Sequence, residues 1–161
     1  MAIIHIQMDA QRESSDGSHV QIAPKHALLS RGPIIQVSVM VISSVAQQVI
    51  QQGGIIPNPV SGYALIDTGA STTCIDDTVA RKIGAPAIDK VKMCSASHTE
   101  ADAFIYPVNF EILGANIPIN VPRCMGAALQ GQELVMLIGR DVLEKCTLHY
   151  NGISGQFTLS L

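Results

Sequence analysis

The chain has 161 residues, a formal net charge of −3, and 47% apolar against 14% charged residues. This length fits one domain with one sizeable core, and the composition is that of a compact globular protein rather than a disordered chain. Because no cluster of Lys and Arg is present, nothing in the sequence is suited to a phosphate backbone, and we expect no nucleic-acid partner.

The four cysteines form no C-x-x-C pair and have no His at ligand spacing, so we predict reduced thiols, no metal site and no cofactor. Reduced thiols suit a reducing compartment. The N-terminus lacks the basic-then-apolar pattern of a secretory signal, and polar residues interrupt the uncharged stretch 32–66 too often for a membrane span. We therefore expect a cytoplasmic protein without membrane association.

In chain order, Ile3–Gln7 has the character of a short strand, and a polar stretch with an Asp-Gly turn follows it. We interpret residues 1–32 as an N-terminal arm and residues 33–161 as the domain. Ile35–Val39 alternates apolar and polar residues, which indicates a half-buried strand. Residues 43–52 either extend that strand or form a helical turn, and the Gly- and Pro-containing residues up to 61 make a long surface loop.

A short apolar run, Tyr63–Ile66, leads directly into the tight turn Asp67-Thr68-Gly69-Ala70. Asp76–Ile83 then predicts a short helix with an acidic cap, and Val91–Ile112 predicts a hairpin with a polar tip near residues 95–100. Ile117–Val121 predicts another strand.

A second apolar run, Val135–Ile138, also ends in a glycine, in the sequence Gly139-Arg140-Asp141, and a short helix to Lys145 is expected after it. Residues 147–150 and 156–161 flank an Asn-Gly pair, which favours a closing hairpin. The predicted fold class is all-β with one or two short helices.

The two apolar runs, one ending in Asp67-Thr68-Gly69 and the other in Gly139-Arg140-Asp141, lie about seventy residues apart with a hairpin between them. Over residues 33–161 this arrangement resembles the retropepsin family of aspartic proteases. The resemblance implies a half-barrel that works as a two-fold homodimer, with the hairpin as a flap over an extended peptide substrate.

The resemblance also implies roles for particular residues. Asp67 would be the catalytic carboxylate, Thr68 and Gly69 would support the active-site turn, and Ala70 would line the pocket. The flap residues Ser95, Ala96 and Ser97 would contact substrate. Four residues would hold the structure near the site, and these are Ile138, Gly139, Arg140 and Asp141.

The sequence departs from the family pattern in three places. Ser71 stands where some members have an acidic residue, so the partner of Arg140 is open. The predicted flap has no glycine between Val91 and Ile112, and the loop before the catalytic turn is longer than usual.

Acid–base hydrolysis needs two carboxylates, and the chain has one Asp-Thr-Gly, so the resemblance predicts an aspartic endopeptidase whose site forms in a homodimer. We also expect the C-terminal strands to need partners from a second chain. Two alternatives are a non-catalytic peptide-binding or dimerisation module with this fold, and a piece of a larger precursor whose arm is a processed leader.

Overall fold

The fold was analysed in a computed structural model that describes residues 2–13, 17–95, 98–115 and 117–161. The described residues form twelve strands, four short α-helices and one 3-10 turn at Gln130–Gln132. The strands are β1 (Ile3–Gln7), β2 (Ala10–Glu13), β3 (His19–Ile22), β4 (Ile34–Val41), β5 (Val60–Ile66), β6 (Cys74–Asp76), β7 (Asp89–Ser95), β8 (His98–Ile112), β9 (Pro118–Ala127), β10 (Leu134–Ile138), β11 (Thr147–Asn151) and β12 (Gln156–Ser160). The helices are α1 (Pro24–Arg31), α2 (Ser43–Gln51), α3 (Asp77–Lys82) and α4 (Arg140–Leu143). The predicted all-β class is confirmed.

The main sheet closes on itself. Its strand order is β4-β5-β10-β6-β9-β8-β7, and β4 also pairs with β8, so six of the seven strands make a closed ring. Alternating β-branched residues build the interior, as in β4, where Val37 and Val39 are fully buried. Phe110 of β8 and Met136 of β10 are buried in the same core. Closure joins the two ends of this six-stranded ring, and β7 remains as an edge strand beside β8.

The C-terminal strands form a separate three-stranded sheet in the order β1-β12-β11. The last strand, β12, has neighbours on both sides within its own chain. The chain thus supplies both neighbours of β12 itself, and the expectation that the C-terminal strands need a second chain stays a prediction. Within the described residues, the unpaired edges of this sheet belong to β1 and β11.

The residues predicted as an N-terminal arm pack onto the domain. Ala27 and Leu28 of α1 are buried in the core, and β1 joins the C-terminal sheet. Gly155, at the turn before β12, allows close approach of α1, because a Cβ there would lie 2.1 Å from the carbonyl carbon of Pro24. Strand β1 and helix α1 of this predicted arm thus belong to the packed structure.

Several predicted elements are present with changed bounds. Residues 43–51 form helix α2, so the coil of the predicted long loop is confined to residues near 54–59. The predicted hairpin is present as β7 and β8, and the strand expected at residues 117–121 continues to Ala127. Strands β2, β3 and β6 and helix α1 were not predicted.

No helix among the described residues is long and apolar enough to cross a membrane. The same part of the chain holds no group of three or more His, Cys, Asp or Glu side chains arranged to hold a metal ion. The cytoplasmic location stays a prediction.

Asp76 is a buried acidic residue that joins α3 to the segment after β9. One oxygen, Oδ1, accepts hydrogen bonds from the backbone N–H of Thr78 (2.9 Å) and Val79 (3.4 Å) and from the Thr78 hydroxyl. The other oxygen, Oδ2, accepts from the N–H of Leu129 at 2.9 Å. Burial by itself would raise the pKa of Asp76, but these hydrogen bonds outweigh it and lower that pKa. The ionised carboxylate is thus part of the fold.

We predict that Asp76→Ala lowers the free energy of unfolding by about 2–4 kcal/mol at neutral pH, since a helix cap and a buried acceptor for Leu129 are both lost. Urea titration measures the effect. Asp102→Ala is the control, because the ion pair between Asp102 and Lys90 is exposed. Equal unfolding free energies for the two variants would contradict the assignment.

The pH dependence has a defined sign. Because the folded pKa of Asp76 is lowered, its stabilisation is complete above the ordinary Asp pKa of about 3.9 and is lost as the pH falls below that value. Asp76→Asn cannot titrate, so we expect a smaller loss of stability than in the wild type between pH 5 and pH 3. The unfolding free energies of both proteins at these two pH values measure the difference.

Candidate active site

Two parallel strands of the barrel, β5 and β10, end side by side. Their last residues, Ile66 and Ile138, are paired in register, and both are buried. The backbone N–H of Asp67 donates to the carbonyl of Ile138 at 2.9 Å, which continues the pairing by one hydrogen bond. The two motifs found about seventy residues apart in the sequence are therefore adjacent in the fold.

The carboxylate of Asp67 is oriented by its own turn. Its Oδ1 accepts hydrogen bonds from the backbone N–H groups of Gly69 (2.8 Å) and Ala70 (3.2 Å). Asp67 and Ala70 are partly buried, whereas Thr68 and Gly69 are exposed. In the described part of the chain, Oδ2 has no hydrogen-bond donor and the Thr68 hydroxyl has no partner. The turn thus fixes one oxygen of the carboxylate.

Arg140 holds the same turn from the β10 side. Its backbone N–H donates to the carbonyl of Ala70 at 3.0 Å, and its Nη1 donates to the carbonyls of Thr68 and Gly69, both at 2.9 Å. Arg140 makes no ion pair within the described residues. Among the residues that the structure describes, its partners are therefore backbone carbonyls rather than a carboxylate.

Asp141 and Thr73 form a second connection between the two motifs. The Asp141 carboxylate accepts hydrogen bonds from the Thr73 hydroxyl (2.7 Å) and backbone N–H (2.9 and 3.0 Å). The Thr73 hydroxyl oxygen in turn accepts the N–H of Gly139 at 3.0 Å. Thr73 is fully buried, so these bonds are shielded from water and fix the segment that follows the Asp67 turn.

The glycine of the second motif is required by close packing. A Cβ at Gly139 would lie 2.6 Å from the carbonyl carbon of Thr72 and 2.8 Å from the backbone nitrogen of Thr73. These are backbone atoms that hydrogen bonds hold in place. Any side chain at this position would separate β10 from the segment carrying Asp67.

Two buried thiols lie below the site. Burial, with smaller contributions from the negative charges of Asp141 and Asp67, raises the pKa of Cys74 to about 11. Burial also raises the pKa of Cys124 well above its usual value. Cys74, Cys124 and Cys146 are free, and the two buried thiols stay protonated at neutral pH and serve as small packing groups.

The structure brings together eight of the predicted site residues at the ends of β5 and β10. They are Asp67, Thr68, Gly69, Ala70, Ile138, Gly139, Arg140 and Asp141. Of the flap residues, Ser95 is the last residue of β7. Ala96 and Ser97 lie outside the described residues.

Thr73 was not predicted as part of the site. Its partner Asp141 is 68 positions away in the chain, and a single Thr before a short apolar strand carries no signal of such a contact. The only hint in the sequence is a polar residue at the start of the apolar segment Cys74–Ile75, where an unpaired hydroxyl would be costly to bury.

We predict that Arg140→Ala lowers the free energy of unfolding by about 1–2 kcal/mol, because two carbonyls of the Asp67 turn lose a charged donor. The control is Arg123→Ala, which removes an exposed ion pair with Asp89 and should cost less than Arg140→Ala does. Urea titrations of both variants against the wild type make the comparison. A wild-type stability for Arg140→Ala would show that these two contacts contribute nothing.

No protein-family model and no curated protein sequence matches the chain. Among solved structures, the fold is similar to a retropepsin-like aspartic protease from Rickettsia conorii, with 13% identity, a TM-score of 0.47, and 98% of this chain and 90% of that chain covered. It is also similar to the retroviral protease-like domain of Ddi1 from Leishmania major, with 13% identity, a TM-score of 0.39, and 73% and 81% covered. At 13% identity, these similarities concern the fold and say nothing of the chemistry at the site.

Proposed function

We propose that the chain is a retropepsin-like aspartic endopeptidase in which Asp67 supplies the catalytic carboxylate. The observation that carries this proposal is the position of Asp67 at the junction of β5 and β10. There its Oδ1 is fixed by Gly69 and Ala70, and its turn is held by Arg140. A carboxylate that only capped the turn would not need the additional support from a second strand.

A second subunit completes the proposed site. Peptide hydrolysis by activated water needs one carboxylate that is ionised and one that is protonated, and each chain offers one Asp-Thr-Gly. The exposure of Thr68 and Gly69 supports a two-fold arrangement in which the same turn from each chain meets at the axis. In that arrangement the Thr68 hydroxyl would find its partner on the other subunit.

In the proposed mechanism, the ionised Asp67 takes a proton from a water molecule as the water oxygen attacks the scissile carbonyl carbon. The protonated Asp67 of the other subunit gives its proton to the carbonyl oxygen, which forms a tetrahedral diol. Collapse of the diol breaks the C–N bond, and the amine leaves with a proton returned by the dyad. The two carboxylates share one proton, so activity should favour mildly acidic pH.

The proposed substrate is a peptide in extended conformation. Ala70 would line its binding site beside the catalytic turn, and the β7–β8 hairpin, with Ser95, Ala96 and Ser97 at its tip, would cover it. Extended peptides are held by main-chain hydrogen bonds, and pockets for alternate side chains set the preference. The mechanism requires neither a metal nor a cofactor.

We predict that Asp67→Asn abolishes cleavage of a broad peptide library, with a loss of at least about a thousandfold, because the amide keeps the shape of the side chain but cannot take a proton from water. Glu133→Gln is the matched control and should cleave like the wild type, because Glu133 is exposed and lies at the end of β10 away from the Asp67 turn. A statine-type inhibitor should block the wild-type protein, since its hydroxyl replaces the attacking water. Library digestion followed by mass spectrometry provides the measurement.

Three results would contradict the proposal. Cleavage that survives Asp67→Asn would remove Asp67 from the chemistry, and cleavage lost to a metal chelator would indicate a different mechanism. A wild-type dimer that cleaves no peptide of the library would favour the non-catalytic module.

A further inference from the structure

A groove separate from the Asp67 turn lies between β1 and the outer surface of β4 and β5. It has a volume of about 360 Å³, within the range of about 300–1,000 Å³ common for ligand clefts. One wall is the β1 segment, residues 4–9, and the other includes Gln36, Tyr63 and Leu113. A second cavity of about 250 Å³ shares these three residues and extends the groove past Ser61. The groove is therefore elongated along the strands.

The β1 wall presents unpaired backbone groups to the groove. Ala2 and Leu161 exchange both of their backbone hydrogen bonds, and in an antiparallel pair such residues alternate with residues that face away. The N–H and C=O groups of Ile3, His5 and Gln7 therefore point away from β12. In the part of the chain that the structure describes, β1 pairs with β12 alone, so this edge can accept another strand.

The opposite wall of the groove contains a positively charged side chain, Arg31, and an aromatic ring, Tyr63. The guanidinium of Arg31 lies over the ring of Tyr63, with Cζ 5.7 Å from the ring centroid. Arg31 has no carboxylate partner among the described residues. Asp9 also lines the groove, and its carboxylate accepts a hydrogen bond from the Gln21 side chain at 2.7 Å. Tyr63 and Leu113 remain 39% and 46% exposed, which leaves apolar surface for an occupant.

We infer that this groove binds an extended peptide segment with an acidic side chain, which adds as a strand to the free edge of β1 and places its carboxylate against Arg31. The backbone of β1 supplies the hydrogen bonds, Tyr63 and Leu113 contact alternate side chains, and Arg31 sets the preference for an acidic residue. None of the residues that line the groove belongs to the Asp67 turn or to Gly139–Asp141. The groove is thus a peptide site distinct from the proposed active site.

Charge complementarity favours such a peptide over a second copy of this chain. If two β1 strands paired across a two-fold axis, the partner would bring the sequence Ile-Ile-His-Ile-Gln to the groove. The strand itself contains no carboxylate, and Asp9, two residues after it, already accepts a hydrogen bond from Gln21. This pairing therefore offers Arg31 less than an acidic peptide does. An acidic peptide would pair with the unpaired backbone groups of β1 and would also place a carboxylate beside Arg31.

The test measures binding to Asp67→Asn protein, so that its result does not depend on whether the chain cleaves peptides. The probe is a fluorescein-labelled hexapeptide of alternating Val and Thr with one central Glu, and the matched probe has Lys in place of Glu. Fluorescence polarisation should give at least tenfold tighter binding of the Glu probe. In Arg31→Met the two probes should bind equally.

Strand addition is tested at His5. His5→Pro removes an outward N–H without removing a backbone hydrogen bond to β12, so it should weaken the Glu probe at least tenfold. His5→Ala keeps the N–H, loses the contact between His5 Nδ1 and Thr158 Oγ1, and should bind within about twofold of the wild type. If His5→Pro does not fold, a probe N-methylated at alternate residues gives the same information with unchanged protein, and it should not bind.

Several results would overturn the inference. These are an absence of saturable binding of the Glu probe, an undiminished preference for Glu in Arg31→Met, and unchanged affinity of the N-methylated probe. Equal binding by folded His5→Pro and His5→Ala would also overturn it. If the probes do not bind and His5→Pro converts a dimer to a monomer in sedimentation, the edge is instead an interface between copies of the chain.

Discussion

The parallel pairing of β5 and β10 is the constraint on which the candidate site depends. It places Ile66 beside Ile138, and from these paired ends the chain continues into Asp67 on one side and Gly139 on the other. Parallel neighbours require a long connection, and here the intervening chain supplies β6 to β9, including the hairpin. The pairing of β5 with β10 therefore fixes where the Asp67 turn lies and which strands surround it.

Two sets of hydrogen bonds then convert this adjacency into a rigid turn. Arg140 binds the carbonyls of Thr68 and Gly69, and Asp141 binds Thr73, while Gly139 allows the backbones to approach. The Asp141–Thr73 bonds are partly buried and the Arg140 bonds are exposed, so salt should weaken the Arg140 bonds more. A functional carboxylate needs such support, because a shift of about 1 Å can cost a hundredfold in rate.

Much of this arrangement could be predicted from the sequence. Apolar runs ending in Asp67 and Gly139 indicate buried strands that end in tight turns, and alternation marks β4. What could not be predicted depends on contacts between distant residues. Strand β1 pairs with β12 across almost the whole chain, and Thr73 contacts Asp141 over 68 positions. Strand β6 is only three residues long, which is too short to show an alternating pattern. Helix α1 has only a weak helical period, so its sequence does not mark Ala27 and Leu28 as buried.

The central claim is that two copies of Asp67 make one site, and a mixed dimer tests it most directly. Wild-type and Asp67→Asn chains carrying different tags can be coexpressed and purified as heterodimers, and their peptidase activity compared with that of the wild-type homodimer. A shared dyad predicts almost no activity, because one ionisable carboxylate is missing from the only site of the dimer. About half of the wild-type activity in verified, non-exchanging heterodimers would mean that each chain carries its own complete site, and would contradict the claim.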